Sequence, residues 1–311
     1  MNTNVAGSAD WRKSPETQIQ ARCSWLVWAP LAILPAIACV LRSRLEPWQF
    51  MWVLAIALFF GCKWQTWTQA QSDGAHAPIG RNLAYLFLWP GMDAATFLNA
   101  RRPASPVAAK QWIAAAGKTA VGGALIWFVA RRAGGSDSLL YGWMGMIGLV
   151  MILHFGVFHL IALAWQSLGV NALPIMQSPV ASTSLSEFWG KRWNLGFRQL
   201  THGLVFDPLR KRFGLAAGTL AAFFVSGLIH DFVISFPARG GYGLPTGYFL
   251  LQGVGVLFER SATGGRIGIQ SGFRGWLFVL CCAGAPAFLL FHPLFVQRVM
   301  LPFFAFIGEL V

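Results

Sequence analysis

The stretch that decides the fold reads FFVSGLIHD and occupies residues 223–231. It lies in an apolar run over roughly residues 215–236, and a helix needs about 20 such residues to cross a membrane. His230 and Asp231 lie inside this run, where ionisable side chains are costly and therefore usually functional. The sequence thus predicts a transmembrane helix that carries a titratable ring in its interior.

A second stretch mixes polar, aromatic and basic residues and reads SLSEFWGKRWN at residues 184–194. One loop and most of one helix separate Asn194 from His230, so the two side chains can meet. A neutral imidazole acts as a general base near neutral pH. An Asn amide donates hydrogen bonds to a carbonyl or to a developing oxyanion. We therefore predict that His230 and Asn194 form a catalytic pair.

Structural roles remain open for the same residues. His230 also fits a histidine bonded across a helix interface, and Trp189 and Trp193, at i and i+4, also fit an interfacial helix. Ser226 lies at i−4 from His230, on the same helix face, and can orient the ring. Asp231 points about 100° away around that helix and is a weaker partner. We expect supporting roles for Ser226 and Asp231.

The composition of the chain indicates a membrane protein. Of its 311 residues, 56% are hydrophobic and only 11% are charged, whereas a soluble domain carries about 25% charged residues. The 15 Trp and 26 Phe residues are typical of aromatic belts at two membrane faces. We predict an all-α, polytopic transmembrane protein that forms a single integral membrane domain over residues 1–311, with a polar cytosolic N-terminus at 1–23.

Apolar runs along the chain predict about eight spans. They cover roughly residues 24–41, 48–62, 83–98, 113–130, 139–165, 215–236, 246–258 and 275–295, with a shorter run at 299–310. The run at 83–98 is interrupted by WPGMD at 89–93, and Pro-Gly breaks a helix, so we expect a re-entrant or broken segment there.

The net charge of +13 reflects bases in short connections between apolar runs, as the positive-inside rule predicts for cytoplasmic loops. Residues 166–213 hold six of them: Lys191, Arg192, Arg198, Arg210, Lys211 and Arg212. We therefore expect amphipathic cytosolic helices in this segment and a cytosolic N-terminus, in the cytoplasmic membrane of a bacterium. Nucleic acid is not an expected partner, because a basic surface is only the first of several features of such proteins.

No metal site is predicted. The five cysteines, which we interpret as small buried hydrophobes, form no CxxC pair. His154 and His159 lie in one span, but at i and i+5 they diverge on an ideal helix.

Taken together, the paired blocks resemble the membrane-bound O-acyltransferase superfamily, and most closely its wax synthase-like branch. The resemblance rests on FWGKRWN at 188–194, Arg198-Gln199 and SGLIHD at 226–231. That branch has a Phe-Trp-x-x-x-Trp-Asn block and a Ser-Gly-x-x-His-Glu block at similar separation, so Asp231 here replaces the usual Glu. WPGM at 89–92 and FLLQG at 249–253, followed by Glu259, extend the match, and we place the acyltransferase core at 83–260.

The resemblance implies transfer of an acyl group from acyl-CoA to a hydroxyl of a lipid or small-molecule acceptor, as in wax ester formation. His230 would be the general base, and Asn194 would support the oxyanion. Donor binding would fall to five residues: Trp189, Lys191, Arg192, Trp193 and Arg198. Acyl-CoA would be a co-substrate, no cofactor would be bound permanently, and membrane lipids would surround the protein.

Three questions stay open at this stage. The bases of the donor-binding set also fit positive-inside topology alone. The sequence specifies no acceptor, acyl length or oligomeric state. A proton-coupled transporter and a non-catalytic lipid-binding membrane protein are the alternative functions, although transporters tend to show internal repeats, and none is seen here.

Overall fold

The fold is described from a computed structural model, which covers residues 24–100, 104, 106–129 and 138–309. These residues form helices and connecting loops without a β-strand, so the predicted all-α class is confirmed. The predicted cytosolic N-terminus at 1–23 lies outside the described residues.

Several of the helices are long and apolar, and several are continued by a π turn. They are α1 Ser24–Val40, α2 Pro47–Ser72, α3 Ile79–Leu88, α4 Ala94–Leu98, α5 Ala109–Ala124, α6 Leu139–Ser167, α7 Leu185–Glu187, α8 Leu195–Thr201, α9 Asp207–His230, α10 Leu244–Glu259, α11 Ala262–Ile267, α12 Gly272–Leu290 and α13 Pro293–Gly308. A π turn at 188–192 continues α7, and another at 202–206 joins α8 to α9.

Four helices in the described residues are long and apolar enough to cross a membrane. They are Trp25–Arg44, Leu139–Ser167, Leu195–Ala238 and Gly272–Leu290. The predicted number of about eight spans is therefore not confirmed. The predicted run 48–62 lies on α2, whose second half is polar. The predicted run 246–258 lies on α10, which has only 16 residues.

The chain breaks where WPGMD was expected to break it. Helix α3 ends at Leu88 and α4 begins at Ala94, since Pro90 cannot continue the hydrogen-bond ladder. The carbonyl of Gly91, freed by the break, accepts a hydrogen bond of 2.7 Å from Lys63 Nζ, and Lys63 is fully buried. The broken helix is thus confirmed, whereas a re-entrant path remains a prediction.

Helix α9 bends sharply at Gly214, whose φ of 88° and ψ of 174° are not helical. Glycine adopts this conformation without the steric penalty of a side chain. The two arms of the bend pack closely, because a Cβ on Gly218 would lie 2.9 Å from Arg210 Cβ. The predicted run 215–236 therefore begins at the bend, and the basic residues lie on the arm before it.

Beyond the bend, α9 packs against α10 at very short range. A Cβ on Gly227 would lie 2.6 Å from the Thr246 Cα, and a Cβ on Gly253 would lie 3.2 Å from the Phe223 ring. The N-terminal end of α10 therefore meets the C-terminal end of α9, so the helices run antiparallel. This contact brings Phe249 beside His230.

Replacing Gly227 with Ala should weaken this contact, since its methyl group would overlap the Thr246 backbone. Overpacking of this kind typically costs about 1–3 kcal/mol. We expect Gly227→Ala to lower the midpoint of thermal unfolding in detergent. Gly117→Ala on α5 is the control, because nothing lies within 4 Å of the position that its methyl group would take, and Ala is the better helix former. Equal midpoints for the two variants would contradict the packing.

The expected orientation can be tested by labelling single cysteines in a background without the native five. We expect Lys191→Cys to react only from the cytosolic side and Tyr242→Cys only from the opposite side, because the span that includes α9 separates them. Both side chains are exposed, so both positions are accessible to a thiol reagent. Labelling of position 191 from outside the cell would overturn the predicted topology.

Candidate functional site

A cavity of about 280 Å³ lies between α9, α10 and the segment that runs from α7 through α8. Its wall includes both residues of the predicted catalytic pair, His230 and Asn194. Aromatic side chains supply much of the remaining surface, among them Trp189, Phe223 and Phe249. Two elements that are distant in sequence therefore present a potential base and a potential amide donor to one space.

The His230 ring is held in one orientation by the backbone. Its Nδ1 lies 2.7 Å from the carbonyl oxygen of Ser226, and its ring packs against that of Phe249 with centroids 4.4 Å apart. A carbonyl oxygen only accepts hydrogen bonds, so Nδ1 carries the proton in this contact and Nε2 carries the lone pair. The ring is thereby fixed in the tautomer that a general base acting through Nε2 requires.

Ser226 orients the ring differently from the side-chain contact expected. The Ser226 hydroxyl donates to the carbonyl of Ala222 at 2.9 Å, and the Ser226 carbonyl contacts the histidine. Ser226 also lies in the cavity wall. The predicted i−4 relation to His230 is present, but it acts through the backbone.

Asn194 lies at the junction between the π turn after α7 and the start of α8. Its backbone is left-handed, with φ 42° and ψ 60°, a conformation that Asn adopts more readily than most residues. Its N–H donates to Met176 Sδ at 3.2 Å, and its carbonyl accepts from the Arg198 N–H at 3.1 Å. The side-chain amide makes no hydrogen bond within the described part of the chain, so its donors remain available in the cavity wall.

Trp189 and Trp193 both line the cavity. The Trp189 indole donates to Gln252 Oε1 at 3.2 Å, and Gln252 is fully buried, so this indole bonds inside the protein. Trp193 stacks on Phe188 with ring centroids 5.5 Å apart. The two tryptophans therefore build the wall of the site, which an interfacial role alone would not require.

The basic residues divide into two groups. Arg198 lines the cavity, and so does Arg260, which the sequence motifs did not indicate. Lys191 is exposed and Arg192 is half-buried, and neither belongs to the cavity wall. Arg260 directly follows the last residue of α10, so a basic residue closing a predicted span was the available signal.

Arg192 instead forms hydrogen bonds to the loop that precedes α7. Its Nη2 lies 2.7 Å from Glu187 Oε1, and its Nη1 donates to the carbonyls of Gln177 and Ser178. The backbone N–H of Thr183 and the Arg192 guanidinium hold the pKa of the Glu187 carboxyl below its ordinary value. With these contacts, the Arg192 head group is directed to the loop and not to the cavity.

Asp231 does not contact His230 through its carboxylate. Its Oδ1 accepts from Ser235 Oγ and from the Gly243 N–H, both at 2.9 Å. Its Oδ2 accepts from the N–H of Thr246 at 3.1 Å and from the hydroxyl of the same residue. Asp231 therefore connects the end of α9 to the start of α10, and a supporting role in catalysis stays a prediction.

The histidines and cysteines of the described residues do not cluster into a set of metal ligands. Among the residues that the structure describes, no group of three His, Cys, Asp or Glu side chains is placed to hold a metal. The Nδ1 atom of His154 is buried and has no hydrogen-bond partner in the described residues.

The prediction that the cysteines are buried holds for Cys62 but is wrong for Cys281, which is exposed on α12.

Comparison with known proteins identifies the region that carries the site. Residues 172–251 match the family described as the membrane bound O-acyl transferase family. This region includes Asn194 and His230, and it ends within α10.

Several curated proteins are similar to part of the chain. A long-chain-alcohol O-fatty-acyltransferase of Simmondsia chinensis is 32% identical over 130 residues, which are 38% of this chain and 37% of that protein. Probable long-chain-alcohol O-fatty-acyltransferase 7 of Arabidopsis thaliana is 29% identical over 146 residues, 42% of each chain. Probable long-chain-alcohol O-fatty-acyltransferase 9 of the same plant is 31% identical over 156 residues, 44% of each chain.

The chain thus spans less than half the length of these relatives. The similarity is nevertheless shared by several proteins that are named long-chain-alcohol or probable long-chain-alcohol O-fatty-acyltransferases. Together with four helices that are able to cross a membrane, it identifies an integral membrane protein. The resemblance to the membrane-bound O-acyltransferases, in their wax synthase-like branch, is confirmed.

Proposed function

We propose that the protein transfers a fatty acyl group from acyl-CoA to the hydroxyl of an alcohol and so forms an ester. The observation that carries this proposal is that His230 and Asn194 line the same cavity. The names of the plant relatives support a long-chain alcohol as the acceptor. His230 is the proposed general base, and Asn194 is the proposed donor to the oxyanion.

The reaction needs one proton transfer in each direction. The alcohol hydroxyl gives its proton to His230 Nε2 as its oxygen attacks the thioester carbonyl carbon. The carbonyl oxygen becomes an oxyanion, which the Asn194 amide stabilises by a hydrogen bond. The carbon–sulfur bond then breaks, and the departing thiolate takes the proton back from the imidazolium. The products are an ester and free CoA, and the histidine returns to its starting state.

The chain's own residues suit this direct transfer. A thioester is already activated, so no acyl-enzyme intermediate is required. The hydrogen bond from Nδ1 to the Ser226 carbonyl keeps the lone pair on Nε2, and it also stabilises the ring when Nε2 becomes protonated. Because the cavity wall is largely apolar, water competes weakly with the alcohol for the reacting carbonyl.

Arg198 and Arg260 are the cations that we assign to the phosphates of CoA. Both are exposed and line the cavity, and guanidinium groups bind phosphate through paired hydrogen bonds. Lys191 remains a candidate for a more distant contact, since it is exposed on the surface of the same segment. In this proposal, acyl-CoA enters from the cytosol, and the N-terminus lies on that side.

Two other functions remain as outcomes of the tests. A proton-coupled transporter would also use a titratable ring in a span, and a lipid-binding protein would also use an aromatic cavity. The activity named for the relatives favours acyl transfer over both. A bacterial origin stays a prediction, because the relatives named above are plant proteins.

Loss of the base should abolish the reaction without loss of the fold. We expect His230→Gln to lower the turnover number by at least about 10²-fold, because general-base catalysis contributes roughly 10²–10⁴ in rate. Glutamine retains a polar side chain but cannot take the proton at neutral pH. The measurement is ester formation from fatty acyl-CoA and a long-chain alcohol, followed by mass spectrometry of the purified protein's products.

His76→Gln is the matched control, because His76 is exposed in the loop after α2 and does not line the cavity. It should retain wild-type turnover. If folded His230→Gln protein kept most of its activity, His230 would not be the base. If the wild-type protein formed no ester with any acyl donor and alcohol pair, the non-catalytic alternative would gain support.

Substitutions of Asn194 distinguish a catalytic role of this residue from a role in packing. A donor to the oxyanion acts mainly in the transition state, so Asn194→Ala should lower kcat more than it raises KM. The expected loss is roughly 10²–10³ in rate. Asn194→Asp should be at least as damaging, since it removes the donor and places a negative charge near the oxyanion.

A packing role would give the opposite pattern, with a lower yield or a lower unfolding temperature and nearly normal kcat per folded molecule. Steady-state kinetics on detergent-purified variants, normalised to folded protein, distinguish the two patterns. Normal kcat in both Asn194 variants would contradict the role assigned to this residue.

A further inference from the structure

Glu259 is a buried carboxylate with no basic partner in the described residues. Only 2% of its surface is exposed, and the adjacent Arg260 directs its Nε to Ser186 Oγ at 2.9 Å. Burial of an ionised carboxylate costs several kcal/mol unless hydrogen bonds compensate for the lost water. The compensation here comes from backbone N–H groups.

Those N–H groups belong to the first turn of the segment that ends at Asn194. The Glu259 Oε2 accepts from the N–H of Leu185, and the Oε1 accepts from the N–H of Ser186 at 3.2 Å. The first N–H groups of a helix have no partner within the helix and carry partial positive charge. A carboxylate at this point therefore binds the segment firmly and in one place.

A second contact, halfway along the same segment, fixes its direction. Trp189 donates to Gln252 Oε1 at 3.2 Å, and Gln252 Nε2 donates to the Cys282 carbonyl at 2.6 Å. Glu259 and Gln252 both project from α10, and the segment passes first Glu259 and then Gln252 as it proceeds toward Asn194. The segment therefore runs antiparallel to α10, toward the end of α10 where Phe249 meets His230.

Hydrogen bonds at its two ends place α10 between the helix that carries His230 and the segment that carries Asn194. At its N-terminal end, the Asp231 carboxylate binds the Gly243 and Thr246 N–H groups and so ties α10 to the His230 helix. At its C-terminal end, Glu259 ties α10 to the segment that carries Asn194. Helix α10 therefore connects the His230 helix to the segment that carries Asn194.

We propose that Glu259 is a positioning residue for acyl transfer, which acts by holding the segment from Leu185 to Asn194 against α10 so that the Asn194 amide faces His230. This inference rests on the proposed function. Glu259 does not touch the cavity, so its effect on catalysis must pass through the segment. Its loss should misplace Asn194 while leaving the base intact.

The test is a double-mutant cycle between Glu259 and Asn194. Glutamine at 259 keeps the size of the side chain and one accepting oxygen but loses the charge and the second acceptor. We expect Glu259→Gln to lower kcat by roughly 10- to 100-fold, with little change in the KM for the alcohol, since a displacement of about 1 Å can cost about 10²-fold in rate. In an Asn194→Ala background, the same substitution should cause little further loss.

Glu46→Gln is the matched control. Glu46 lies at the N-terminus of helix α2, much as the Glu259 carboxylate lies at the N-terminus of α7. Unlike Glu259, it is exposed, and it does not line the cavity. It should leave kcat unchanged in both backgrounds. If Glu259→Gln cannot be recovered folded, Glu259→Asp keeps the charge and withdraws it by one methylene, and the same cycle is run with that variant.

The outcomes separate this inference from the proposed function. If the wild-type protein forms ester and the losses in kcat from Glu259→Gln and Asn194→Ala simply multiply, Glu259 acts independently of Asn194 and the inference is wrong. Wild-type kcat in a folded Glu259→Gln variant would be equally decisive against it. If the wild-type protein forms no ester while its folded state is normal, the proposed function fails first and the positioning role fails with it.

Discussion

The close contact between α9 and α10 is the constraint on which the rest of the site depends. Gly227 allows the two backbones to approach, because any side chain at this position would overlap Thr246. The approach places the Phe249 ring against His230 and leaves the imidazole a single backbone acceptor, the Ser226 carbonyl. A looser contact would release the ring, and with it the tautomer that leaves Nε2 free. The close packing at Gly227 therefore helps to keep the lone pair of His230 on Nε2.

Polar groups at three levels of α10 convert this packing into a defined site. In an apolar surrounding, each buried polar group must find its partner inside the protein, so such a group is also a specific connector. Asp231 joins the start of α10 to the end of α9, Gln252 joins its middle to Trp189, and Glu259 joins its end to the first turn of α7. The apolar faces alone would allow the helices to slide, whereas these bonds are satisfied in only one register.

The sequence predicted which residues meet at the cavity better than it predicted the spans. His230 and Asn194 were found because a titratable ring in an apolar run and a lone amide after an aromatic block are rare, and both line the cavity. The predicted number of about eight spans is not confirmed, because hydropathy alone does not reveal where an apolar run continues into a polar half-helix, such as the end of α2. Lys63 illustrates the difficulty: in sequence it ends an apolar run, but in the structure it is fully buried and bonded to the Gly91 carbonyl. Donor binding by Arg192 stays a prediction, and its partner Glu187, which lies on the same short segment, would compete with any ligand.

The aspartate at position 231, where the wax synthase-like branch usually has Glu, follows from the same geometry. Its short side chain reaches the Gly243 and Thr246 N–H groups directly, because Gly227 has already brought the start of α10 against α9. A longer carboxylate would have to fold back or push the two helices apart at the point where they are closest. Asp231 therefore fixes the start of α10, and the histidine is oriented by the backbone of its own helix. The orientation of the imidazole and the placement of its neighbouring helix thus depend on different groups, the Ser226 carbonyl and the Asp231 carboxylate.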